Sequence, residues 1–106
     1  MTICFHTTDS AGVILRGGFR DHTSTYMLGV ELTGIFIADR PLDANEGCKG
    51  DQVLQLTLPD TLDLDAFELM DESGYATYRE WCVPAALLNT ELLSIRLLTV
   101  DEVCEL

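Results

Sequence analysis

The chain has 106 residues, enough for one hydrophobic core and not for two. Nearly half the residues are apolar at 47%, and no apolar run approaches the length of a membrane span, so we expect a folded, soluble, cytoplasmic protein with no membrane partner. Eighteen acidic residues oppose six basic ones, and the imbalance is uneven: residues 1–50 hold four basic and six acidic residues, whereas residues 51–106 hold two and twelve. A nucleic-acid surface needs clustered Lys and Arg, so no nucleic-acid partner is expected, and any phosphate-bearing ligand should approach the arginines of the first half.

In chain order, residues 2–7 read as a first strand. Asp9 or Ser10 follows as the cap of a helix whose inner face carries Ala11, Ile14 and Leu15. Gly17-Gly18 ends that helix, and Phe19 is placed to close over its end. Residues 20–33 are polar and irregular, with a weakly apolar centre at Tyr26–Val30. The compact run GIFIA at 34–38 reads as a buried strand, and 39–51 as a loop with room for a short helix after Pro41. A strand at 52–59 alternates Val53, Leu54, Leu56 and Leu58 with polar residues.

Phe67–Met70 and Thr77–Val83 read as two strands joined by the turn-forming DESG. Residues 84–89 read as one helical turn started by Pro84, and 92–100 as the last strand. No repeat, low-complexity tract or linker interrupts the chain, so we expect a single α+β domain over residues 1–106 with one main helix after the first strand. Cys4, Cys48, Cys82 and Cys104 form no C-x-x-C pair and have no metal-site spacing to His6 or His22; we expect reduced thiols and no metal.

Three blocks stand out. The first strand ends in His6-Thr7-Thr8, the second block is Gly34-Ile35-Phe36-Ile37-Ala38-Asp39, and the third is Tyr78-Arg79-Glu80-Trp81-Cys82-Val83. Their order and content resemble the ADP-ribosyltransferase superfamily, most closely the branch marked by a His, a Tyr and a Glu on three separate strands. The resemblance implies two small, mainly antiparallel sheets flanking a cleft for NAD. It places His6 on a ribose hydroxyl, the Thr7 backbone on the carboxamide and Phe36 in the wall where the nicotinamide stacks, with Thr8 completing the first block.

Glu80 would bond the ribose 2′-hydroxyl and stabilise the positive charge that develops as nicotinamide leaves. Arg20 would approach the diphosphate, Asp43 the amide of the carboxamide, and His22 and Tyr26 the adenine side. Arg16 and Arg40 read as surface charges, and Trp81, which alternates away from Glu80, as a core anchor.

Two departures qualify the implied chemistry. The family tyrosine is Phe36, which keeps the ring and loses the hydroxyl, and Tyr78 stands where arginine-modifying relatives carry a second acid. The implied activity is transfer of ADP-ribose from NAD to an acceptor, a protein among the candidates, or hydrolysis of NAD. The alternative is a catalytically degenerate nucleotide- or protein-binding module working through its acidic surface. RNA 2′-phosphate transfer on the same fold would need positive charge that this chain lacks.

Overall fold

The computed structural model describes residues 1–26, 30–42, 51–69 and 78–104. Its strands are β1 (Thr2–Thr8), β2 (His22–Tyr26), β3 (Val30–Ala38), β4 (Gln52–Leu58), β5 (Glu68–Leu69), β6 (Glu80–Val83) and β7 (Ser94–Leu97). The helices among the described residues are α1 (Ala11–Gly17), α2 (Ala85–Glu91) and α3 (Val100–Cys104), with a 3₁₀ turn at Asp65–Phe67. This is the expected α+β class, with every strand pairing antiparallel.

The strands form one connected sheet in the order β5-β6-β3-β1-β4-β7, with β2 branching from β3. The resemblance implied two small sheets flanking a cleft; the described strands instead join in one sheet, because β3 pairs along its length with both β2 and β6. β3 pairs with β2 over residues 30–34 and with β6 over residues 35–38. The change of partner falls at Gly34, whose φ of +149° suits glycine. A Cβ there would stand 2.9 Å from Cys82 Sγ and 3.0 Å from the Val83 carbonyl oxygen, so the absent side chain lets β6 approach.

The sheet separates two apolar clusters, as strand alternation requires. On one face Cys4, Ile35, Ile37, Leu54, Leu56, Leu58, Trp81 and Val83 pack with Ala11, Phe19, Ala85 and Leu88. Each wholly buried leucine of β4 contributes about 2 kcal/mol by leaving water. On the other face Phe5, Val53 and Leu98 form a smaller cluster with Val103. Burial pushes the Cys4 thiol up to about 11. Cys4, Cys82 and Cys104 are free thiols, and Cys48 lies outside the described residues.

Several elements differ from the sequence reading. The polar stretch 20–33 contains β2 and the start of β3, because cross-strand pairing satisfies its backbone and Thr23 and Thr33 bond side chain to side chain at 2.8 Å. Ser10 gives α1 its backbone carbonyl but no capping side chain; its hydroxyl turns to Asp9, and Gln52 Oε1 instead accepts the Ala11 N–H. Leu15 is exposed rather than inward. The last strand stops at Leu97, because Thr99 and Glu102 cap α3 reciprocally. The helix expected after Pro41 and most of the turn between β5 and β6 fall outside the described residues.

One clamp positions the turn after α1. Asn89 of α2 accepts the Phe19 N–H at 2.8 Å and donates to the Phe19 carbonyl at 2.9 Å. Asp21 Oδ1 caps α2 by accepting the Ala85 N–H at 2.8 Å. Phe19 is thereby fixed over the end of α1, buried as the sequence suggested.

Gly34→Ala should destabilise the protein by about 2 kcal/mol or more, from the disfavoured φ and the backbone clash together. Gly12→Ala, in open space on α1, should be neutral or stabilise by roughly 0.5 kcal/mol. Urea unfolding midpoints of the two variants check the contrast.

Candidate functional site

The three sequence blocks lie on three consecutive strands of the sheet, β6, β3 and β1. The seam between β1 and β3 is unlike its neighbours. β1 pairs with β4 over all seven of its residues, but meets β3 at a single ladder pair, Phe5–Ala38. Just beyond that pair, His6 Nδ1 reaches across to the Phe36 carbonyl at 2.7 Å. A side chain thus satisfies a strand carbonyl that a backbone N–H would ordinarily serve.

This bond settles the role of each ring nitrogen. A carbonyl can only accept, so Nδ1 carries the hydrogen, and in the neutral ring Nε2 is left with its lone pair as an acceptor. Phe19 meets the same ring edge-on, with centroids 5.3 Å apart. Burial among these groups holds the His6 pKa below its ordinary 6.5, against the opposing pull of the Phe36 carbonyl. Burial thus favours the neutral ring, which the Phe36 carbonyl orients.

The remaining residues of the first block are also engaged. Thr7 Oγ1 donates to the Leu42 carbonyl at 2.7 Å, tying the segment after β3 to the end of β1. Thr8 is buried, and its Oγ1 accepts the Ser10 N–H at 3.0 Å, which turns the chain into α1.

Across the sheet, Ala38 pairs with Glu80 and Phe36 with Cys82. Pairing and alternation put Phe5, Thr7, Phe36, Ala38 and Glu80 on one face, beside the smaller apolar cluster. His6 follows Phe5 and belongs to the opposite face, with Leu54 and Phe19. Thr7, Phe36 and Glu80 are thus brought together, while His6 lies in the seam and its strand position faces away from Glu80. Two strand spacings, roughly 10 Å, separate the backbones of β6 and β1.

Asp39 fixes the start of β6. Its N–H donates to the Arg79 carbonyl and its Oδ1 accepts the Arg79 N–H, both at 3.0 Å. Glu80 enters the sheet immediately after this double tether. The Arg79 side chain turns to Glu68, which it grips through two nitrogens, and to Asp65 at 3.5 Å, while its guanidinium lies over Trp81. Trp81 is a core anchor, as expected, and its indole N–H is buried without a partner. Arg40, read from sequence as a surface charge, is half-buried and stacks over Tyr78 at 5.0 Å.

Sequence reasoning missed Asp39 and Arg40 as parts of this region, although Asp39 closes the second block and Arg40 follows it directly. Arg20 is exposed and follows Phe19 in the chain. His22 is exposed at the start of β2. Asp43 lies outside the described residues, as does the side chain of Tyr26. No cluster of His, Cys, Asp or Glu suited to a metal occurs among the described residues.

Comparison with known protein families, with characterised proteins and with solved structures finds no match to this chain.

The lowered His6 pKa has a sign that can be tested. The unfolded chain binds a proton at His6 that the folded chain resists, so the stability tied to the neutral ring is complete above about pH 6.5 and is lost as pH falls toward the lower folded value. His6→Asn removes the titrating ring and keeps an amide N–H for Phe36. Urea midpoints measured through this pH range should fall for the unsubstituted protein and fall less for His6→Asn.

Proposed function

We propose that the chain is a small ADP-ribosyltransferase-like protein. In this reading it binds NAD at the seam between β1 and β3 and transfers ADP-ribose to an acceptor, or hydrolyses NAD, releasing nicotinamide. One observation carries it: the three blocks that resemble the family's His, Tyr and Glu motifs occupy adjacent strands, with His6 anchored to the backbone of Phe36 across an almost unladdered seam.

The chemistry follows from the side chains. The lone pair of His6 Nε2 accepts a ribose hydroxyl, and because Nδ1 is already bound, the ring needs no reorientation to do so. Phe36 offers the half-buried aromatic surface for the nicotinamide. Glu80 supplies the carboxylate that stabilises the oxocarbenium-like ribose as the glycosidic bond to nicotinamide breaks. Since the two strand positions face opposite ways, a ligand over the Glu80 face meets His6 only through the seam between β1 and β3.

That opposition also favours a second reading, a catalytically degenerate module that binds a nucleotide or a basic protein. The second half of the chain holds twelve acidic and two basic residues, and both cations, Arg79 and Arg96, are occupied by Glu68 and Glu102. The excess of acid gives this half a negative charge that suits a positively charged partner.

Titration with NAD followed by calorimetry, together with a nicotinamide-release assay, separates the readings. The enzyme reading expects saturable binding, weakened about tenfold by His6→Asn for the loss of one hydrogen bond. It expects Glu80→Gln to keep most of the affinity and abolish release. Binding without release, indifferent to Glu80→Gln, supports the degenerate module, and no binding at millimolar NAD removes NAD from both.

A further inference from the structure

β7 closes one end of the sheet, and among the described residues it pairs only with β4. The Leu98 N–H donates to the Val53 carbonyl at 2.9 Å, so by antiparallel alternation Ser94 and Arg96 also turn their backbone groups toward β4. Ile95 and Leu97 then direct theirs outward, whereas the Leu93 N–H turns inward to the Thr57 carbonyl at 2.9 Å. Such an edge is a template for another strand.

The sequence around this edge reads nearly the same in both directions. From Leu92 it runs Leu-Leu-Ser-Ile-Arg-Leu-Leu to Leu98, with Ile95 at the centre. An antiparallel pairing of two copies about Ile95 sets Leu93 beside Leu97 of the other copy, twice, and Ser94 beside Arg96, twice. Both leucines are open to solvent, at 55% for Leu93 and 42% for Leu97. Ile14 and Leu15 of α1 and Leu92 and Ile95 line one side of a shallow groove of mixed polarity, whose other side holds Phe19 and Asn89.

Charge points to the same place. A chain with net charge −12 repels its own copies, yet residues 92–98 contain no acid. Their single cation, Arg96, is already bound to Glu102 at 2.6 Å. The strand itself thus brings no acid to the contact, and the Glu102 carboxylate that each copy carries there is held by Arg96.

We propose that two copies of the chain join through β7, antiparallel and two-fold about Ile95, extending the sheet across the contact. The outward N–H groups of Ile95 and Leu97 supply the backbone bonds, and Leu93 and Leu97 the apolar contact. Because repulsion opposes the union, added salt tightens it.

Sedimentation velocity over a concentration series tests the pairing and its register. The unsubstituted protein should dimerise in the micromolar range. Leu93→Lys with Leu97→Lys should be monomeric, because lysines then meet across the axis, while keeping the unfolding midpoint of an intact fold. Leu93→Lys with Leu97→Glu should restore the dimer, since each lysine then meets a glutamate. Leu97→Pro, which removes one outward donor and no bond to β4, should weaken association. A protein that stays monomeric to millimolar concentration overturns the proposal. So does a dimer that survives both Leu97→Pro and the double lysine variant, and so does one lost equally in the two charge variants.

Discussion

Everything in this fold leans on the unequal way β1 is held. Its seven residues are laddered without a break to β4, yet it touches β3 through the single pair Phe5–Ala38. A central strand flanked by two complete ladders would present only side-chain tips to a ligand. Here one flank is nearly open, and a backbone carbonyl in it is answered by a histidine ring. The full ladder on the β4 side makes that opening tolerable, since Leu54, Leu56 and Leu58 anchor β1 against the larger core whatever happens at its other edge.

The two ends of β3 divide the labour. Its first half is tied to β2 and its second to β6, with Gly34 between them. Beyond its end, Asp39 fastens the chain just ahead of Glu80, and Thr7 fastens the segment at Leu42. Phe19, clamped by Asn89, presses on the His6 ring from the core side. The candidate groups are thus oriented by backbone tethers on three sides.

How much of this could be read in advance depended on how local the cause was. GIFIA and QVLQLTL declare themselves because burial on a pleated sheet leaves a period-two or unbroken apolar signature, and Trp81 followed from alternation alone. β2 did not, because HTSTY owes its strand conformation to a partner across the sheet rather than to apolar spacing. The error at the C-terminus was avoidable: Thr99 and Glu102 stand three apart before a short helix, the spacing of a capping box, and were absorbed into an apolar run that ended at Val100. The blocks containing His6, Phe36 and Glu80 could be picked out in the sequence, and their adjacency is a property of the sheet order. The opposed faces of His6 and Glu80 were beyond the sequence, because they depend on the register of β1 against β3 and of β3 against β6. Asp39 was read as the end of the second block, but its tether was not, because the backbone it grips lies 40 residues away in the chain.

The buried indole of Trp81 carries a consequence of its own. It is the chain's one tryptophan, and it shares β6 with Glu80. Shielded in the larger core, with its N–H unsolvated, it emits toward the blue. Should β6 peel away from β3, the indole would meet water and its emission would move toward the red. The strand that bears the candidate carboxylate is thereby wired to an intrinsic optical gauge, which reports its seating in the sheet without any added label.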